Sequence, residues 1–188
     1  DDAGKNVMDG GTSEGALSEL VSGCIAGLLE HHEALGGLLA PTVNSYARLK
    51  PASMSGYWAN WGFDHRAVAV RVSGETGSAS RIEHRLGDCA ASPYVAAAAL
   101  LQATRLGFTS GYDLPPPEKE DGFESVSTSR HLAEDLPSSL DALEKDQVLV
   151  DAIGRLLVDN YVAIKRAELN EVEGMSTAQL FDYYSPFL

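Results

Sequence analysis

Arg81-Ile82-Glu83-His84-Arg85-Leu86 is the stretch on which the fold reading turns. Side chains alternate along a strand, so Arg81, Glu83 and Arg85 share one face while Ile82, His84 and Leu86 take the other. Ten residues upstream, Arg66-Ala67-Val68-Ala69-Val70-Arg71 introduces a second strand over Ala67 to Val72, with Val68, Val70 and Val72 on one side. Ser73 to Ser80 is small, polar and glycine-containing, and reads as the connector of a hairpin. Four arginines and a glutamate thus gather within twenty residues. A face of Arg, Glu and Arg is ill suited to an apolar core. It suits a charged cleft that holds phosphates or carboxylates, with a metal as a third possibility.

A blander reading is a solvated strand face with ion pairs such as Arg81–Glu83. Two neighbours weigh against it. The preceding loop adds Asn44-Ser45-Tyr46-Ala47-Arg48-Leu49, another arginine among hydrogen-bonding residues. The following segment, Asp88 to Tyr94, leads into a helix opened by Ser92-Pro93, so rigid elements anchor the charged face.

Composition narrows the class. The 188 residues are 44% apolar and 22% charged, enough for one soluble domain with its own core. A net charge of −13 argues against general nucleic-acid binding and makes the arginine cluster a local feature. No apolar run has membrane-spanning length, and no signal peptide is legible. Cys24 falls on an apolar helix face and reads as a small buried hydrophobe. Cys24 and Cys89 make no disulfide framework, so the expected setting is a reducing cytoplasm. The chain opens at Asp1 without a methionine, which suggests processing or a longer polypeptide.

The flanking pattern is helical. Leu17, Leu20, Val21, Cys24, Ile25 and Leu28 recur at three- and four-residue steps in a helix expected from Ser13, with Gly36-Gly37 as its end. Pro41 to Tyr57 reads as an ordered loop. The helix from Ser92 runs through four alanines, Ala96–Ala99, to Gly107. Tyr112 to Pro137 is a long excursion containing Pro115-Pro116-Pro117. Helices are expected near 139–145, 147–157 and 160–171, and a last one from Ser176 with Gln179 completing a capping box. The terminal aromatics Phe181, Tyr183, Tyr184 and Phe187 are candidates for packing on this domain or on another subunit. The expected fold class is α+β: an antiparallel sheet packed against helices, with 67–72 and 81–86 as the floor of a cleft.

Taken in order, four segments resemble the glutamine synthetase family. Pro41-Thr-Val-Asn-Ser-Tyr-Ala-Arg-Leu49 resembles the segment before its active-site flap. Arg66 to Arg71 resembles its nucleotide-side arginine pair, and Arg81 to Arg85 its Arg-Ile-Glu-x-Arg strand. Ser92-Pro-Tyr-Val-Ala-Ala-Ala-Ala-Leu-Leu101 resembles the helix that follows. The resemblance spans residues 1–188 and covers the C-terminal part of such a catalytic domain.

It implies an ATP-dependent ligase that joins the γ-carboxylate of glutamate to ammonia or an amine through γ-glutamyl phosphate, chemistry that depends on positioning and charge stabilisation. By resemblance, Arg48 would hold glutamate and Arg66 would contact both glutamate and the transferred phosphate. Arg71, with Arg81 as a weaker candidate, would bind ATP phosphates. Arg85 would hold the carboxylate being activated, and Glu83 would ligate Mg2+ or Mn2+. Arg66 and Arg85 are the catalytic candidates. One carboxylate is not a metal site, and the family's other metal ligands and its N-terminal β domain would lie upstream of Asp1. The isolated polypeptide is therefore expected to be inactive. His31 and His32 read as surface residues at a helix end. His65, His84 and His131 are not metal candidates.

Two departures bear on substrate. The flap glutamate that shapes an ammonium site in the family maps to Met54, which favours a larger organic amine such as a polyamine or ethanolamine. A nucleotide-binding lysine maps to Ser78. No tyrosine lies between Pro117 and Pro137, so adenylylation is not expected. Ring-shaped homo-oligomers are a further implication of the resemblance. The alternative reading is a non-catalytic nucleotide-binding or structural relative.

Overall fold

The computed structural model describes residues 1–9, 17–75, 77–123 and 126–187. The helix start expected at Ser13 lies outside these residues. The first described helix, α1 (Glu19–Glu30), begins at Ser18, whose hydroxyl accepts from Val21 N. The order continues α2 (His32–Leu39), α3 (Ser45–Arg48), β1 (Trp61–Phe63), β2 (Val70–Val72), β3 (Ile82–His84) and α4 (Pro93–Ser110). It ends with α5 (Leu136–Lys145), α6 (Gln147–Ile153), α7 (Arg155–Val172) and α8 (Thr177–Tyr184). The α+β class is as expected.

The sheet has the order β1-β2-β3. β2 and β3 form the expected antiparallel pair, with Arg71 opposite Glu83, Val70 opposite His84 and Val72 opposite Ile82. Val70 and Val72 are buried, so Arg71 points to the other face, as alternation requires. The strand is shorter than expected. At 67–69 the N–H groups turn to side chains, Ala67 N donating to His65 Nδ1 and Ala69 N to Asn60 Oδ1, while Ala69 O still accepts from Arg85 N at 2.9 Å. β1 adds a parallel strand to β2, with Trp61 opposite Val70. A three-residue strand spans only about 10 Å, so the six-residue return 64–69 suffices to make it parallel. No alternation marked it in the sequence.

Helices cover the sheet through a continuous apolar core that includes Ile25, Leu35, Leu39, Val70, Leu86, Leu132, Leu136 and Leu140. Each such buried aliphatic side chain contributes about 1.5–3 kcal/mol. α1 crosses α4 in direct backbone contact. A side chain at Gly27 would strike Ala103 O and the backbone of Gly107, and one at Gly107 would strike Gly23 O. The alanines of α4 serve this approach, with Ala99 and Ala103 fully buried. α4 runs three residues past Gly107 and ends at Gly111, whose φ of 67° is left-handed.

Several expectations need correction. Gly36-Gly37 does not end a helix: α2 continues through it to Leu39. Both glycines make room for α5, since a Cβ on Gly37 would meet Ser139 O at 2.9 Å. Because α2 continues and is covered, His31 and His32 are buried, not at the surface. His31 Nδ1 lies 2.6 Å from Asp146 Oδ2, and His32 Nε2 lies 3.2 Å from Tyr57 O. The break in the C-terminal helices falls at Gly154 rather than near residue 158. Gly154 has φ 119°, a conformation that side chains disfavour, and separates α6 from α7. The loop 41–57 contains the short helix α3. The α8 capping box forms as expected: Ser176 caps Gln179 N, and Gln179 Oε1 accepts from Ser176 N at 2.9 Å.

Candidate active site

Arg71 and Glu83 meet because the antiparallel register places them directly opposite on the solvent-facing side of the sheet. Arg71 Nη1 donates to Glu83 Oε2 at 3.3 Å. Arg85 Nη1 donates to the other carboxylate oxygen, Glu83 Oε1. Glu83 therefore sits between two guanidinium groups, each mostly covered, and remains about 41% exposed itself. Arg85 Nη2 also reaches Met54 O at 3.4 Å, tying the 50–56 loop to the strand end. The Nε atoms of Arg71 and Arg85 are buried without partners among the described residues.

Arg48 stands at the end of α3. Its Nη2 donates to Leu86 O at 3.3 Å and lies 3.8 Å from Asp88 Oδ2, so it borders the segment leaving β3. It lines an open pocket of about 320 Å³ together with Asn44, Asp88, Cys89 and Tyr184. Arg66 is exposed and makes no hydrogen bond or ion pair among the described residues. Arg81 precedes β3 and turns back onto the connector, donating to Ala79 O at 2.9 Å and pairing with Glu75 at 3.5 Å. The structure thus joins Arg71, Glu83 and Arg85 in direct contact, sets Arg48 beside the same strand's exit, and leaves Arg66 and Arg81 outside that contact.

Sequence reasoning missed Asp64. Its Oδ1 accepts from Arg71 Nη2 at 2.8 Å and its Oδ2 from Gly74 N at 3.0 Å. The Arg71 guanidinium holds the Asp64 carboxyl below its ordinary range, with the Gly74 amide adding to the effect. Asp64 has φ 47°, a left-handed conformation that Asp tolerates better than most residues. An acid two residues before Arg66 at the end of an apolar run was the available signal. Asn60 and Glu118 were missed too. Asn60 Nδ2 donates to Glu118 Oε2 at 2.9 Å, which locks β1 to the long 112–137 excursion.

His84 occupies the opposite face of β3 from Glu83, as parity required. Both ring nitrogens are buried without partners among the described residues. Burial, with a smaller contribution from nearby His32, pushes its pKa down to about 3, so the ring is neutral. His131 stacks on Tyr57 with centroids 5.0 Å apart. Cys24 is buried, which pushes its thiol pKa up, and Cys89 is exposed; both are free.

The donor set does not fit a resident metal on its own. A hard divalent cation wants about six oxygen ligands. Among the described residues no group of three or more His, Cys, Asp or Glu side chains could hold one. Glu83 offers a single carboxylate already flanked by two cations. Among the described residues no helix is long and apolar enough to cross a membrane.

Residues 2–184 match the family described as glutamine synthetase, catalytic domain. The glutamine synthetase of Methanocaldococcus jannaschii is 36% identical over 167 residues, covering 82% of this chain and 36% of that protein. The gamma-glutamylpolyamine synthetase GlnA3 of Streptomyces coelicolor is 32% identical over 182 residues, covering 92% of this chain and 39% of that protein. The solved GmaS/ADP complex superimposes with a TM-score of 0.79 at 29% identity, over 96% of this chain and 43% of that one. The chain thus spans well under half the length of the relatives it matches. With the Arg71–Glu83–Arg85 register and the helices that support it, these likenesses lead to one conclusion: the chain belongs to the glutamine synthetase family.

Proposed function

We propose that residues 1–188 form the C-terminal part of the catalytic domain of an ATP-dependent ligase, which joins the γ-carboxylate of glutamate to ammonia or an organic amine. The observation that carries this reading is the pair of guanidinium groups bracketing Glu83 across β2 and β3. In the reaction, a γ-carboxylate oxygen attacks the terminal phosphorus of ATP and ADP leaves. The amine nitrogen then attacks the γ-carbonyl carbon, phosphate leaves, and the nitrogen loses a proton.

Each step moves or spreads negative charge, and planar guanidinium groups meet phosphate and carboxylate oxygens in pairs. Arg48 and Arg85 hold the two ends of glutamate, and Arg85 steadies the carboxylate as it becomes an acyl phosphate. Arg71 takes nucleotide phosphate, exchanging Asp64 or Glu83 for it. Arg66, free of protein partners among the described residues, bridges glutamate and the transferred phosphoryl group. Arg81 would have to leave its connector to reach nucleotide, which makes it the weakest of the set. Glu83 would offer its carboxylate to a nucleotide-associated cation only if further ligands came from outside the described residues.

Met54 supports an organic acceptor. Its side chain is exposed on the loop whose backbone Arg85 holds, and a thioether does not attract ammonium as a carboxylate does. The likeness to a gamma-glutamylpolyamine synthetase points the same way.

The test is an amine screen on a full-length enzyme carrying this segment, read as glutamate-dependent ADP release and γ-glutamyl product. The expected outcome is turnover with an organic amine in preference to ammonia, and none from the 188-residue polypeptide alone. Nucleotide binding without ADP release with any amine would replace the ligase reading with a binding role. Preference for ammonia over every amine would remove the assignment to Met54.

A further inference from the structure

Asp88 follows the buried Leu86 in the segment that leaves β3, and its own backbone is tied down. Its N–H donates to Leu39 O, at the end of α2, at 2.9 Å, and its carbonyl accepts from Ala91 N at 3.1 Å. Its side-chain Oδ1 accepts from Ala90 N at 2.9 Å, a local turn that a short acidic side chain favours. These bonds leave Oδ2 facing the Arg48 guanidinium, 3.8 Å from Nη2. The same Nη2 donates to Leu86 O at 3.3 Å. One end of the guanidinium is thus turned towards the protein, while Nη1 and Nε have no protein partner among the described residues. Arg48 and Asp88 line the same pocket of about 320 Å³.

The contrast with Asp64 gives this arrangement a meaning. Asp64 takes a direct hydrogen bond from Arg71 at 2.8 Å, and its side chain is 56% exposed. It therefore occupies a donor that a ligand would need. Asp88 stands beyond hydrogen-bonding distance of Arg48, and its side chain is only 14% exposed. It attracts the guanidinium without consuming a donor, and its bonded backbone and Oδ1 keep it from swinging away. A free arginine loses rotamer freedom when it captures an anion, and one already oriented loses less. We propose that Asp88 is a positioning residue, which holds the Arg48 side chain with its Nη1–Nε edge free for a carboxylate of glutamate. The proposal rests on the reading that Arg48 holds glutamate. It also fixes a sign. A carboxylate that merely competed for Arg48 would, once neutralised, improve glutamate binding, whereas loss of a positioning carboxylate weakens it.

Asp88→Asn tests this in a full-length enzyme carrying the segment. Asparagine keeps an oxygen for Ala90 N and removes only the charge. The expected result is a rise in the KM for glutamate of about 3- to 10-fold. The values of kcat and of the KM for ATP should change by less than about two-fold, a split that a general loss of structure would not produce. The same substitution is then made in an Arg48→Lys background, where it should add little, because the side chain it positions is gone. A merely structural role would add the same factor in both backgrounds, so this comparison decides even if Asp88→Asn lowers the unfolding temperature. An unchanged or lowered KM for glutamate overturns the proposal, and so does an equal effect in the two backgrounds. If Arg48→Lys alone leaves the KM for glutamate unaltered, the reading of Arg48 falls and the proposal falls with it. If Arg48→Lys raises that KM and Asp88→Asn does not, the proposal alone fails.

Discussion

Glu83 and Glu118 are carboxylates beside the same small sheet, in opposite circumstances. Glu118 is only 5% exposed and accepts from Asn60 Nδ2, Ser127 N, Ser127 Oγ, Lys119 N and Glu120 N, all between 2.9 and 3.1 Å. Burial acts to raise its pKa, but these donors, the Ser127 amide foremost, bring it down to about 2. Its partners are neutral or backbone groups fixed in place, so its cage is closed and structural. Glu83 is open and its partners are two guanidinium cations. A charge held by cations at a surface can exchange them for a ligand's phosphate or carboxylate, whereas a charge held by buried amides cannot. The comparison separates a site from a staple by the nature of the partners and not by the acid itself.

The largest expected effect lies on the open side. In a full-length enzyme carrying this segment, Arg85→Lys should lower kcat/KM by about 100-fold or more, because an ammonium cannot match a planar bidentate acceptor. Thermal unfolding should change little. A variant with near-normal turnover would break the distinction between the two carboxylates.

Glu118→Gln should act in the other way, on stability. It sets an amide nitrogen against donors and should cost about 3 kcal/mol, read from denaturant unfolding. The sign with pH is definite. The folded pKa is depressed from an ordinary 4.5, so the contribution is complete above 4.5 and is lost as pH falls towards about 2. The variant should show a flatter stability profile across that window.

His84, behind Glu83, sharpens the contrast further. Its folded pKa is depressed from 6.5 to about 3, so its stabilisation is complete above 6.5 and declines as pH falls through that interval. At pH 5 the loss should be about 2 kcal/mol. His84→Leu should remove this acid sensitivity and leave stability above pH 7 equal or higher, since two unpartnered buried nitrogens disappear. An unchanged acid limb would assign it to other groups.

The smallest expected effect is that of Asp64→Asn. Asparagine tolerates the left-handed backbone and can still accept from Gly74 N, so only the charge on Arg71 changes. Stability should fall only slightly, because the Asp64 side chain is exposed. Nucleotide affinity of the full-length enzyme should rise as Arg71 is released, measurable by calorimetric titration.

Much of this architecture was legible in residue order. Alternation placed Glu83, and Arg85 just past the strand, on one side of β3 and His84 on the other, and the Ser92-Pro93 and Ser176–Gln179 signals located two helix starts. The failures share a cause. Gly36-Gly37 resembled a helix stop but accommodates α5, and His31-His32 resembled a polar surface pair but lies beneath covering helices. In both cases a neighbour distant in sequence decided the outcome. Of the candidate site residues, Glu83 on β3 and Arg85 just past its end sit two apart and were readable together. Asp64 and the Glu118 cage depend on a turn and a loop that no periodicity describes.

Period-two alternation, helix caps and the local gathering of arginines follow from the chemistry of adjacent residues, so the sequence by itself determined the starts of α4 and α8, the β2–β3 pairing and the face on which Glu83 stands. Only the tertiary structure decided that β1 joins in parallel, that Arg71 is shared between Asp64 and Glu83, and that Arg81 turns away. Those outcomes depend on which distant backbones approach closely enough to exclude water or complete a hydrogen bond, and such distances are properties of the folded chain.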